Sequence, residues 1–252
     1  AARYTAKVLT TRNPAEGFMQ GIAHLLSQSG VSPADVALIT HGTTLATNAV
    51  LTGSGANTAL LTTVGFRDIL EIRRTHRSSL FDIYEQIPPP LVSRPLRFEV
   101  PGRIGASGEV VIDLDETTVR RIAAQIRDSD VESIAVAYIF SFLNPSHEER
   151  TREILKEELP HLAGDISISS EVLPLHREYE RTSTTVVNAY LGPVMDRYLG
   201  GLNGWLNDQG FKHDLLIMMN NGGVASAVQA AQFPVNAVLS GPAGGVAAGL
   251  FL

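Results

Sequence analysis

Hydrophobic positions along the chain switch between a helical and a strand period, and this alternation predicts an α/β protein. Over residues 14–28 the apolar residues Phe18, Ile22, Leu25 and Leu26 recur at the i, i+4, i+7, i+8 spacing of an amphipathic helix, closed by Ser29-Gly30. Residues 36–39 form a short apolar run of strand type, broken by His41-Gly42, and 43–51 then read as a helix entered through threonines. The pattern repeats in a second strand at 59–63, with Gly65 leading into a short helical stretch at 67–74. From about 75 to 108 periodicity is lost and prolines accumulate (Pro88, Pro89, Pro90, Pro95, Pro101), as in a long surface connection that is either a binding loop or a plain excursion.

Regularity then returns. Residues 115–127 predict a helix with acidic residues first and arginines later, matching the helix dipole, and 134–140 a continuous apolar strand. Ser146 and Glu149 have the spacing of a capping box, opening a helix that stops at Pro160. The block at about 98–168 reads as an inserted or auxiliary unit. Residues 178–206 predict one long helix, interrupted or bent near Gly192-Pro193, and 215–219 a strand ending in Asn220-Asn221-Gly222-Gly223. Residues 235–252 predict a short strand turning through SGPAGG into a small-residue helix.

Composition narrows the function classes. The 252 residues, 44% hydrophobic and 18% charged, suffice for one large core or two smaller ones. No run approaches the roughly 18 apolar residues of a bilayer span and the first residues have no apolar signal core, so no membrane role and a cytoplasmic location are expected. Zero cysteines exclude disulfides, thiolate catalysis and Cys-based metal sites, so any metal must be held by oxygen or histidine. A net charge of −6 has no compensating basic block; the densest cluster, Arg73, Arg74 and Arg77, lies beside Glu71, and no nucleic-acid partner is expected. There is no GxSxG elbow and no HExxH, so serine-hydrolase and zincin mechanisms lack support.

Four segments can carry chemistry. His41-Gly42-Thr43-Thr44 brings an imidazole, two hydroxyls and backbone N–H groups to a strand-to-helix turn, where a carboxylate, a phosphate or a polarised amide oxygen can be held; a simple helix cap is the alternative. Asn48 lies one turn on, on the same face. Asn221, Gly222 and Gly223 follow a buried strand and read as a ligand-approaching loop or a tight turn. SGPAGG, with Ser240, Gly241, Gly244 and Gly245, opens a helix but lacks the lysine and spacing of a P-loop; close helix packing is its other reading. In HREYERTSTTVVNAY, Arg177 and Arg181 share one helix face and Glu178 and Thr182 another, a pattern also expected of a solvated face.

Their order and wording together are specific. HGTTLATNAVLTGSGANTALLTTVGFRDILEIRR, then REYERTSTTVVNAYLGPVMDRYL, then MMNNGGVASAVQAAQFPVNAVLSGPAGGVAAG resembles the hydantoinase A/N-methylhydantoinase A family, which includes 5-oxoprolinase-like proteins and the related subunit of acetone-type carboxylases. The resemblance implies an actin-like, ribonuclease-H-type ATPase fold, here incomplete and carrying an auxiliary α/β unit. It divides the chain into 1–75, an N-terminal α/β region with the HGTT turn; 76–168, the proline-rich connection and auxiliary unit; and 169–252, the long helix and start of the ATPase core. It implies ATP and Mg²⁺, a hydantoinase B-like partner subunit in an oligomer, and a cyclic amide whose oxygen is phosphorylated before water opens the ring. His41, Gly42, Thr43, Thr44 and Asn48 would then face substrate; Asn221, Gly222, Gly223, Ser240, Gly241, Gly244 and Gly245 would bind nucleotide or line the cleft. A family member is expected to begin with an apolar strand and an Asp-Gly-Gly-Thr type phosphate loop and to carry a second such loop soon after SGPAGG. Neither is in the sequence, so the chain is expected to be cut at both ends and inactive alone, its catalytic and metal residues unassigned. The alternatives are a subunit of an ATP-dependent acetone-type carboxylase, or a non-catalytic structural or partner-binding module.

Overall fold

A computed structural model describes residues 2–9, 11, 13–75, 81–82, 84 and 88–249. Arg77 of the expected basic cluster, residues 76–80, 83 and 85–87 of the expected proline-rich connection and residues 250–252 of the expected last helix lie outside them.

Helix α1 (Pro14–Ser29) starts where Asn13 accepts a hydrogen bond from the Ala15 N–H at 3.2 Å, and ends on Gly30 at φ 65, whose N–H donates to the Leu26 carbonyl. Strand β1 (Ile39–His41) begins at the end of the expected 36–39 run, because Pro33–Asp35 winds into a 3₁₀ turn that ties the Val36 N–H to the Pro33 carbonyl. Next come α2 (Leu45–Thr52), β2 (Thr58–Thr63), α3 (Ile69–Ile72), β3 (Arg97–Val100), β4 (Arg103–Ile104), β5 (Val110–Ile112), α4 (Glu116–Arg127) and β6 (Ser133–Ala137). The remainder is α5 (Ser146–Glu158), β7 (Ile166–Ile168), α6 (Ser169–Val172), α7 (Glu178–Asp208), β8 (Leu215–Met218), β9 (Val224–Ser226), α8 (Ala227–Gln232) and α9 (Ser240–Gly249).

Two local expectations are corrected. The capping box does not form: Ser146 is already inside α5, and the Asn144 side chain accepts from the Ser146 N–H at 3.1 Å. The strand expected at 235 is a 3₁₀ turn, Pro234–Ala237, followed by Leu239 at φ 62. Pro234 supplies no N–H for a ladder and fixes a φ suited to the turn. Helix α7 is continuous from Glu178 to Asp208, with Pro193 inside it.

The chain divides into two compact units, residues 55–193 and residues 1–54 with 194–252. In the first, four parallel strands lie in the order β3-β2-β6-β7. Alternate strand residues enter opposite cores, as the pleat requires. Ala59, Leu61, Ile134 and Val136 pack with α4 and α5, and Leu60, Ala135 and Ala137 with α3 and with Val186 and Ala189 of α7. β4 and β5 form a separate antiparallel pair. In the second unit β1 runs parallel to β8, and β9 returns antiparallel to β8. Among the described residues no helix is long and apolar enough to cross a membrane.

Candidate functional site

Register decides which motifs can meet. His41 pairs with Ile217 across parallel strands, so the chain leaves β1 through HGTT and β8 through NNGG at the same, carboxyl, end of the sheet. That is where open α/β sheets hold ligands.

The NNGG segment closes the β8–β9 hairpin: the Met219 N–H donates to Gly223 at 2.9 Å, the Gly222 N–H to Met219 at 3.1 Å, and the Asn221 side chain accepts from the Gly223 N–H at 2.9 Å. Gly222 sits at φ 82, a conformation that disfavours side chains. Asn221 and Gly223 line a shallow cleft of about 270 Å³ with Gln229, Phe233 and Asn236.

SGPAGG is brought onto HGTT. The buried Ser240 hydroxyl donates to the Thr43 carbonyl at 3.1 Å, and the Leu239 N–H donates to the Thr47 hydroxyl at 2.9 Å. A methyl group on Gly241 would lie 3.7 Å from Thr44 Cγ2, and one on Gly244 3.1 Å from Met218 Cε. Small residues therefore let α9 settle against β8 and the turn, the packing use of these glycines. Gly245 has open space around it.

The turn faces a cleft of about 440 Å³. Phe18, Ile22 and Leu25 of α1 form an apolar wall, and His41, Thr44 and Tyr198 supply the polar end. His41 Nε2 and the Tyr198 hydroxyl pair at 2.8 Å, and Phe18 meets the imidazole edge-on with centroids 4.6 Å apart. Burial pushes the His41 pKa down to about 4, so the ring is neutral at pH 7. Burial likewise raises the Tyr198 phenol, partly opposed by a hydrogen bond with Thr43. Thr43 is buried and its hydroxyl accepts from the Leu45 N–H at 3.2 Å; Thr44 and Asn48 are exposed, with Asn48 Nδ2 donating to Thr44 Oγ1 at 3.3 Å.

Tyr198 was not legible as a site residue: it stands 157 positions from His41, on a helix whose pattern marks only a buried face. The charged helix also departs from its pattern. Arg177 is exposed, whereas Arg181 is 1% exposed, donating to the Leu175 and Tyr138 carbonyls and stacking 5.3 Å from the centre of Phe142. Near it Glu148, fully buried, accepts from the Tyr138 and Ser170 N–H groups and the Ser169 hydroxyl. These groups belong to the unit of residues 55–193 and organise its interior.

Residues 2–159 match the family described as "Hydantoinase/oxoprolinase N-terminal region", and residues 181–250 that described as "Hydantoinase/oxoprolinase". The chain belongs to the hydantoinase/oxoprolinase family. It is 37% identical over 238 residues to caprolactamase subunit alpha of Pseudomonas jessenii, covering 91% of this chain and 34% of that protein. It is 33% identical over 241 residues to the acetophenone carboxylase gamma subunit of Aromatoleum aromaticum, covering 88% and 33%. The crystal structure of ATP-dependent caprolactamase from Pseudomonas jessenii superposes with a TM-score of 0.85 at 34% identity, over 100% of this chain and 38% of that one. A nucleotide-free acetone carboxylase gives 0.82 at 27%, over 96% and 36%. The chain thus spans about a third of the length of these relatives, and its parallel α/β architecture is consistent with part of an actin-like ATPase fold.

The described residues do not themselves fit ATP with Mg²⁺. No three His, Asp or Glu side chains among them converge as metal ligands. At SGPAGG the Ser240 hydroxyl is spent on Thr43, and Gly241 and Gly244 face protein rather than an open cradle.

Proposed function

We propose that this chain is part of the nucleotide-dependent subunit of an ATP-dependent cyclic-amide hydrolase, and that the HGTT cleft seats the ring. The observation that carries this is the cleft's two-sided chemistry: an apolar wall from α1 opposite the neutral His41, Thr44 and Tyr198. A lactam or hydantoin is likewise a small apolar ring with one polar amide edge. The Thr44 hydroxyl, which accepts from Asn48, keeps its proton for the ring carbonyl. His41 has Nε2 on Tyr198, so Nδ1 is the nitrogen left to meet the amide. With its pKa at about 4 the imidazole is too weak a base to be poised for proton abstraction at pH 7, so its role is to hold and orient.

The ATP dependence of the related caprolactamase supports a nucleotide-driven reaction, whose nucleotide the described residues do not hold by themselves. Relatives named as alpha and gamma subunits support a multi-subunit assembly, in which we place a hydantoinase B-like partner. The carboxylase reading is favoured by the acetone and acetophenone carboxylase likenesses, and the same cleft would then take a ketone.

Calorimetric titration of the chain with caprolactam, 5-oxoproline, hydantoin and acetophenone separates these readings. Saturable lactam or hydantoin binding, weakened about fivefold or more in His41→Phe through loss of a hydrogen bond, supports the hydrolase. Binding of the ketone alone supports the carboxylase. No binding by any of them sinks the cleft as the substrate seat.

A further inference from the structure

The sheet of residues 55–193 has a second ligand-bearing geometry, remote in sequence from HGTT. Numbered by their own appearance, its strands β3-β2-β6-β7 run 2-1-3-4, so the chain winds first to one side of β2 and then to the other. In doubly wound sheets the gap between the first and third strands is the topological switch point, and ligands bind at its carboxyl end, where the loops part to opposite faces. Here the gap lies between β2 and β6.

The residues that follow those two strands are unusual. Phe66 follows β2 by way of Gly65 at φ 89, and Phe140 follows β6 at φ 60, a conformation rare for a bulky residue and held by Leu143 and Asn144 N–H groups donating to the Phe140 carbonyl. Arg103, at the start of β4 just beyond β3, lies between their rings, its guanidinium carbon 5.5 Å from the centre of Phe66 and 5.9 Å from that of Phe140. All three side chains are half-buried. Each neighbouring arginine of this unit has at least one partner: Arg67 donates to the Arg94 carbonyl, Arg94 to Asp68 and Arg97 to the Val92 carbonyl, although Arg67 Nε and Arg97 Nη1 are buried without one among the described residues. Arg103 has no hydrogen-bond or carboxylate partner among the described residues, and the acidic group on the same edge, Glu99, is taken by the Gly65 N–H at 2.7 Å.

Two aromatic rings beside a guanidinium hold it in place without using its N–H groups, which stay available to a planar, two-oxygen acceptor. We propose that the carboxyl edge of this sheet, at the β2/β6 switch point, binds a small oxyanion, a carboxylate or phosphate group, in a forked hydrogen bond to Arg103 held between Phe66 and Phe140. Neither the resident carboxylates nor the HGTT cleft takes part.

The test is a ¹H–¹⁵N NMR titration of the full 252-residue chain with sodium phosphate and, separately, sodium acetate, at ionic strength held constant with chloride. The expected result is a saturable shift of the Arg103 Nε–H signal and of the Gly65, Phe66 and Phe140 amides, with one or both anions. A response to phosphate alone assigns a phosphorylated ligand, and to acetate alone a carboxylate. Arg103→Gln should weaken the response about tenfold or more, the loss of a charge-assisted pair. Arg103→Lys, which keeps the charge without the fork, should weaken it less, and it stands in if the Gln variant does not fold. Absence of a saturable shift at these signals, or an undiminished response in both variants, would overturn the proposal.

Discussion

Protonating His41 should destabilise the unit that carries it, and the size of the effect can be worked out. In the folded chain burial lowers the imidazole from 6.5 to about 4, with its Nε2 on Tyr198 and Phe18 against its edge. The unfolded chain therefore binds the proton more readily, so this group's contribution to stability is complete above pH 6.5 and is lost as pH falls towards 4. At about 1.4 kcal/mol per tenfold difference in proton affinity, the loss between pH 7 and pH 5 comes to about 2 kcal/mol, and the full effect to about 3 kcal/mol. Trp205, the one tryptophan in the sequence, belongs to the same unit, so urea unfolding followed by its fluorescence reports on this region. Burial also lowers His147 in the other unit, and the carboxylates add their own pH dependence, so the quantity to measure is the difference between wild type and His41→Gln. Wild type should lose about 2 kcal/mol more than the variant between pH 7 and pH 5. Equal losses in the two proteins, within about 0.5 kcal/mol, would refute the assignment of a neutral, desolvated imidazole.

Two further substitutions probe the unit of residues 55–193. Glu148→Ala leaves the Tyr138 and Ser170 N–H groups and the Ser169 hydroxyl without their acceptor, and should cost about 3–5 kcal/mol in denaturant unfolding; a cost under about 1 kcal/mol would mean that water or a rearranged side chain takes its place. Gly55→Ala places its methyl carbon 2.1 Å from the Tyr190 ring, while the Ala56 N–H is bonded to the Tyr190 carbonyl, so neither side can withdraw cheaply. A loss of about 3 kcal/mol is expected, with partial recovery in the double variant carrying Tyr190→Leu; simple additivity of the two changes would contradict the clash.

The parts of the fold that were legible are those set by local rules. Helix α1 was readable from its apolar spacing and its closing glycine, α4 from its charge gradient, and β2 and β6 from their apolar runs. Strand β3 was hidden in an aperiodic segment because it opens with Arg97, a charged residue that is 2% exposed yet bonded through Nε and Nη2 to the Val92 carbonyl and Glu71. Nothing in the local sequence signals that a guanidinium will find those partners. The capping box failed for a related reason: Pro145 shifts the start of α5, and Asn144 reaches the first N–H before a serine can.

The candidate site was legible as motifs but not as an arrangement. HGTT admitted a capping and a binding reading and SGPAGG a packing and a binding reading: the Ser240 hydroxyl and the inner glycines lock α9 to the turn, while the turn's other side opens on the cleft for which binding is proposed. What decides between binding and packing at each position is its partner, and the partners come from far along the chain. Helix α7 makes the point, since nothing in its periodicity shows that Arg181, Tyr190 and Tyr198 meet Tyr138, Gly55 and His41. Of these, Tyr198 matters most for chemistry. Its hydroxyl fixes the ring of His41 at the end of β1, and burial keeps that ring neutral, which suits it to the proposed role of orienting an amide rather than taking a proton.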